Sequence, residues 1–234
     1  MINTVHLGDC MLGMAQYPDN YFCLAVCDPP YGIGEDGDRS NRNRPTDKWK
    51  NPKPKNWGKK NWDKLAPNCS YFKELQRVSK DQIIFGANHF IENISNSNSS
   101  CWIVWDKKNG SNDFSDCELA WTSFSTAVRK FDWLWNGFQK QAPEDRIHPT
   151  QKPIALYDWI FQNYLPNGGK VLDTHIGSGS SRISAYKRGN IDFTGYELDP
   201  DYYRDQEARF REFVMKVAPA DLEPITKQGQ IKLF

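Results

Sequence analysis

No apolar run in this chain approaches the roughly twenty residues that a helix needs to cross a bilayer, so no helical membrane span is expected. The opening residues, MINTVHLGDC, lack the basic-then-apolar order of a secretory signal, and the expected location is the cytoplasm. An excess of charge of either sign is also missing. Thirty Lys and Arg stand against 29 Asp and Glu, a formal net charge of +1. A polyanion would therefore have to be held by a local patch, because the whole molecule exerts no pull. The six cysteines (10, 23, 27, 69, 101 and 117) form no Cys-x-x-Cys pair, and the four histidines have no metal-ligand spacing. No disulfide framework and no metal site are expected. Aromatic residues, by contrast, make up 14% of a 234-residue chain, a length that suits one well-buried α/β domain.

The most informative stretch is Asp28-Pro29-Pro30-Tyr31. It follows the apolar run Tyr21 to Cys27, which reads as a buried strand. Neither proline can donate a ladder hydrogen bond, so the strand must stop there. A carboxylate, two carbonyls and a phenol ring are thus set on a stiff turn at a strand's C-terminal end, where ligands bind in open α/β sheets. An amino group placed there would find acceptors for its hydrogens and an aromatic face to lie against.

Residues 35–61 change character. Arg39, Arg42, Arg44, Lys48, Lys50, Lys53, Lys55, Lys59 and Lys60 are interleaved with Trp49 and Trp57 among Pro, Gly and Asn. One reading is a solvated loop. The other is an arm that follows a phosphate backbone with its bases and stacks with its tryptophans. Helical spacing runs from Ser70 to Val78, strands are expected at Gln82–Phe85 and Cys101–Asp106, and residues 111–147 show no clear periodicity.

Then comes His148-Pro149-Thr150-Gln151-Lys152-Pro153. Pro153 suits the first turn of a helix, and Lys152 with that helix N-terminus would suit an anion such as a carboxylate. A strand from Lys170 to Asp173 leads into Thr174-His175-Ile176-Gly177-Ser178-Gly179-Ser180-Ser181 and a helix to about Arg188. The glycines let backbone approach a ligand, and Asp173 offers an acceptor to an ammonium group. Arg182 takes the place of the third glycine of the dinucleotide fingerprint, which lowers a nicotinamide reading. The next strand ends in Glu197, an acid able to hold both hydroxyls of a ribose. A last helix starts at Asp199-Pro200, with Tyr203, Phe210, Val214 and Val217 on one face.

Together these motifs resemble the DNA amino-methyltransferases, which methylate N6 of adenine or N4 of cytosine. Their order resembles the circularly permuted β group. The resemblance implies a Rossmann-like class I methyltransferase fold, a twisted and mostly parallel sheet with helices on both faces, over a single catalytic domain at residues 1–218. It also implies that Asp28 and Tyr31, with Pro29 and Pro30, hold the target amine, and that the donor is S-adenosyl-L-methionine. By the same resemblance the donor is bound by Asp9, Cys10, Asp28, His148, Thr150, Lys152, Asp173, His175, Gly177, Ser178, Gly179, Ser180 and Glu197. Thr174, His175 and Ser180 depart from the commoner Asp-Pro-Phe-x-Gly-Ser-Gly-Thr loop. Double-stranded DNA is the expected partner and adenine the preferred base, because Asp at the first motif position is commoner in the adenine enzymes. N4 of cytosine, RNA or a protein amide, and nucleic-acid binding without chemistry are the alternatives. Within the tail at 219–234, Gln230-Ile231-Lys232-Leu233-Phe234 resembles peptides that dock on the bacterial sliding clamp, and an apolar tail folded onto its own domain is weighed equally. Relatives are often homodimers, which extends that expectation to this chain.

Overall fold

A computed structural model describes residues 2–36, 60–109, 115–135 and 140–217. Five strands of the sheet run in a parallel set: β1 (Asn3–Leu7), β2 (Phe22–Cys27), β3 (Ser79–Phe85), β7 (Gly169–Asp173) and β8 (Ile191–Glu197). Three more extend it: β4 (Trp102–Asp106), β5 (Cys117–Thr122) and β6 (Arg129–Asp132). The order is β1-β8-β7-β2-β3-β5-β4-β6, and β5 alone runs antiparallel to its neighbours β3 and β4. The expected α/β class and mostly parallel sheet are observed. β2 is central and almost wholly buried, which is why its sequence is a continuous apolar run without alternation.

The central strands send alternate residues into one of two cores. Leu24, Val26, Ile83, Phe85 and Val171 pack with α3 (Ile154–Tyr164) and α4 (Ser180–Arg188) on one face. Ala25, Cys27, Ile84 and Leu172 pack with α1 (Cys10–Met14) and α2 (Cys69–Val78) on the other. Asn68 caps α2 by accepting from the backbone N–H of Ser70 and Tyr71. The functional consequence lies in the middle. β2 and β7 are hydrogen-bonded parallel neighbours with Leu24 opposite Val171 and Ala25 opposite Leu172. The turns that follow Cys27 and Asp173 therefore emerge side by side, although the two strands are far apart in the chain.

Some expectations need correction. β5 and β6 lie in the region read as aperiodic. Their apolar alternation is broken by Glu118 in the first and by Arg129, Lys130 and Asp132 in the second. Pro153 is the N-cap of α3 and stands just outside its first turn. The buried face of α5 (Pro200–Val217) is Tyr202, Gln206 and Phe210, whereas Tyr203 and Val214 are half-buried and Val217 is exposed. The short α1 was not foreseen. Among the described residues, no helix is long and apolar enough to cross a membrane.

Candidate active site

The double-proline turn closes on itself. Tyr31 donates its hydroxyl to Asp28 Oδ1 at 2.7 Å, and its ring stacks on His89 with centroids 5.1 Å apart and planes at 17°. Gly86, at the end of β3, makes this possible. Its φ of +67° is left-handed, and a Cβ there would lie 2.1 Å from the Tyr31 ring. The second oxygen of Asp28 is 2.5 Å from Lys152 Nζ. Both carboxylate oxygens thus already have donors within the protein. Burial raises the Asp28 carboxyl above its ordinary range, and Lys152 only partly offsets that.

Lys152 is buried, with its side chain 3% exposed, and lies between two acids: its Nζ is also 3.2 Å from Glu118 Oε2. Burial alone would raise Glu118, but Lys152 and Lys107, which is ion-paired with it, hold its carboxyl down at about 2. Lys152 therefore keeps its charge despite its burial. This corrects the expectation that Lys152 and the α3 N-terminus wait for an external anion. The N–H of Ile154 already donates to Glu144 Oε1 at 3.0 Å, and Glu144 Oε2 is 3.0 Å from Arg209 Nη2. The anion at that helix end is internal.

A cavity of about 480 Å³ opens onto this group, lined by Asp28, Pro29, Tyr31, Trp62, His89, Glu118, Thr150 and Lys152 among others. Its size is that of a small-ligand pocket.

Beside it, the loop after β7 turns through Gly177 (φ +50°) and Gly179 (φ +75°), the latter capping α4. Asp173 Oδ1 accepts from His175 N at 3.1 Å, and Oδ2 from Ser181 Oγ at 2.6 Å. Burial outweighs these bonds and pushes the carboxyl up to about 7. Glu197 accepts from the N–H of Gly177 and of Asp199 at 3.0 and 2.9 Å, and the N–H of Gly8 bonds its carbonyl at 2.8 Å. Asp9 and Cys10 are thereby placed next to Glu197, with Asp9 capping α1 through Met11 N. Ser178 and Ser180 are buried and tied by Arg209, which donates to Ser178 O at 2.7 Å and to Ser180 Oγ at 3.0 Å.

His148 packs against the same loop: a Cβ on Gly177 would lie 3.6 Å from its ring. Thr150 N donates to His148 Nδ1 at 3.3 Å, and burial depresses the ring to about 3, so it is neutral. His175 is depressed by burial to about 4, and its ring meets Tyr71 edge-on rather than lying flat on an open surface. Trp62 and Tyr202 both pack against the His148 ring, with centroids 5.4 and 4.3 Å away. A glycine loop beside two acids, Asp173 and Glu197, fits a polar ligand that bears hydroxyl and ammonium groups.

The structure brings together every expected site residue from Asp9 to Glu197 outside the basic arm. In that arm, Arg39, Arg42, Arg44, Lys48, Trp49, Lys50, Lys53, Lys55, Trp57 and Lys59 lie outside the described residues, as does Gln230–Phe234. Lys60 is described, and its ammonium is bound to Asp199 and Asp201, 3.1 and 2.5 Å away. It is held by the protein's own acids. Glu118, Lys107, Trp62, Asp63 and His89 were not singled out from sequence. An acid inside a strand at Glu118 was the one available signal, and the missing alternation in β5 concealed it.

Comparison with known proteins follows from this geometry. A family model described as DNA methylase matches residues 118–208. Type II methyltransferase M2.MboI of Moraxella bovis is 22% identical over 265 aligned positions, covering 96% of this chain and 93% of that protein. The crystal structure of the M1.HpyAVI–SAM complex superimposes with a TM-score of 0.52 at 17% identity, over 89% of this chain and 98% of that one. The PvuII DNA methyltransferase, cytosine-N4-specific, gives 0.57 at 10% identity over 92% of each. At these identities the superpositions establish the shared fold.

Proposed function

We propose that this chain, which belongs to the DNA amino-methyltransferase family, methylates N6 of adenine in double-stranded DNA. The methyl donor is S-adenosyl-L-methionine, which supplies an electrophilic methyl on a sulfonium. The observation that carries the reading is the pairing of β2 with β7. It sets the Asp28 turn and the Asp173 loop side by side, the adjacency that in-line transfer requires. Glu197 is the group for the donor's ribose, Asp9 and Cys10 flank its base, and Asp173 faces its ammonium.

A base inside a duplex cannot reach Asp28, so it is extruded into the cavity. Tyr31 lies against its face. Asp28 and the carbonyl of Pro29 accept the two amino hydrogens, which draws the nitrogen lone pair out of ring conjugation. The lone pair forms the new N–C bond as the bond to sulfur breaks, and one amino proton leaves to Asp28 or water. Lys152 favours the ionised form of Asp28 and so opposes the rise that burial imposes on its carboxyl. No cysteine nucleophile takes part in this scheme. Burial pushes the thiols of Cys10 and Cys27 up to about 12.

Adenine is preferred over cytosine on Asp28 alone, as the first residue of the motif. The test is incubation of unmethylated plasmid with labelled donor, followed by digestion to nucleosides. Label in N6-methyl-2′-deoxyadenosine is expected. Label in N4-methyl-2′-deoxycytidine would overturn the choice of base, and label in neither would overturn the reaction.

A further inference from the structure

Asp63 is 2% exposed and makes three hydrogen bonds, all to one segment. Its Oδ1 accepts from the backbone N–H of Tyr31 at 2.7 Å and of Gly32 at 2.9 Å; its Oδ2 accepts from Glu35 N at 2.7 Å. Its own carbonyl accepts from Gly34 N at 3.0 Å. The turn after Pro30 is part of no strand or helix, so its N–H groups need partners from elsewhere. A single side chain supplies three of them with a charged acceptor, the stronger kind. Next door, Trp62 packs on His148 beside the glycine loop. Residue 63 thus joins the target-amine turn to the wall of the donor site.

We propose that Asp63 is a positioning residue for methyl transfer: by binding the backbone of Tyr31, Gly32 and Glu35 it fixes the Tyr31 ring over the cavity, and through Tyr31 the Asp28 carboxylate. The inference rests on the function proposed above. Asp63 touches neither reacting atom. Its effect reaches the chemistry through the 2.7 Å bond from the Tyr31 hydroxyl to Asp28. A misplacement of about 1 Å at a reacting group costs on the order of a hundredfold in rate.

The test compares wild type, Asp63→Asn and Asp63→Ala in single-turnover transfer to unmethylated plasmid, alongside donor affinity by calorimetry. Asn keeps an acceptor for Tyr31 and Gly32 but turns an N–H toward Glu35, so it should rescue part of the activity. The expected result is a rate lowered on the order of a hundredfold in Asp63→Ala and about tenfold in Asp63→Asn, with donor affinity within twofold of wild type. If Asp63→Ala fails to fold, Asp63→Asn alone decides. A rate within twofold of wild type overturns the inference. So does a fall in rate matched by an equal fall in donor affinity, which would indicate a purely structural role. Absence of transfer by wild type would instead overturn the proposed function, and this inference with it.

Discussion

At the scale of single residues, the site is governed by which charges are buried together. Lys152 is the cation shared by Asp28 and Glu118. Replacing it with Met leaves Asp28 buried without a counter-charge, which should cost about 3–5 kcal/mol of stability in denaturant unfolding. Because Lys152 lowers the Asp28 pKa, its loss should also move the acid limb of the pH–rate profile to higher pH. A limb that stayed in place or moved down would contradict the pairing. Asp173, with a carboxyl near 7, gives a second pH dependence. If its ionised form holds the donor's ammonium, protonation weakens binding, and affinity should be about tenfold lower at pH 6 than at pH 8. Calorimetry at the two values checks this, and equal affinities would remove Asp173 from that role. Gly86→Ala should displace Tyr31, cutting transfer at least tenfold while donor affinity is kept.

At the scale of elements, what was legible in the sequence was whatever sat at the end of an apolar run. Asp28 follows β2 and is fenced by two prolines; Asp173 ends β7 and is followed by a glycine loop. Both could be read because strand, breaker and polar residue are contiguous. Glu118 could not, because it stands inside a strand where a charge erases the pattern that identifies strands. The sequence marks Lys152 but not its partners, since nothing local ties it to Asp28 and Glu118 or tells that Glu144 already accepts from the first N–H of α3. Asp63 escaped for a similar reason: the segment between it and the turn it holds has no pattern linking them. The Glu144–Arg209 pair makes an element-scale prediction. Arg209 ties α5 to the donor loop at Ser178 and Ser180, and both side chains of the pair are only 10% exposed. Glu144→Ala strands the guanidinium and uncaps α3, so it should lower stability by about 3 kcal/mol and weaken donor binding several-fold. Unchanged thermal unfolding would show that the pair contributes little.

At the scale of the whole molecule, a net charge of +1 leaves nucleic-acid affinity to local features. The basic arm is the feature proposed for that work. Replacing Arg39, Arg42 and Arg44 with Ala should weaken DNA binding on all sequences alike and reduce the log–log salt slope by about 3. An unchanged slope would take the arm out of the interface. The sheet supplies the rest. Its order places β2 against β7, so two motifs distant in the chain share one edge, and the reaction follows from that edge. The most direct measurement is a crystal structure with the donor bound. The account predicts its ribose at Glu197, its amino-acid end between Asp173 and His148, and its methyl group facing Asp28. A donor seated away from the double-proline turn would contradict it.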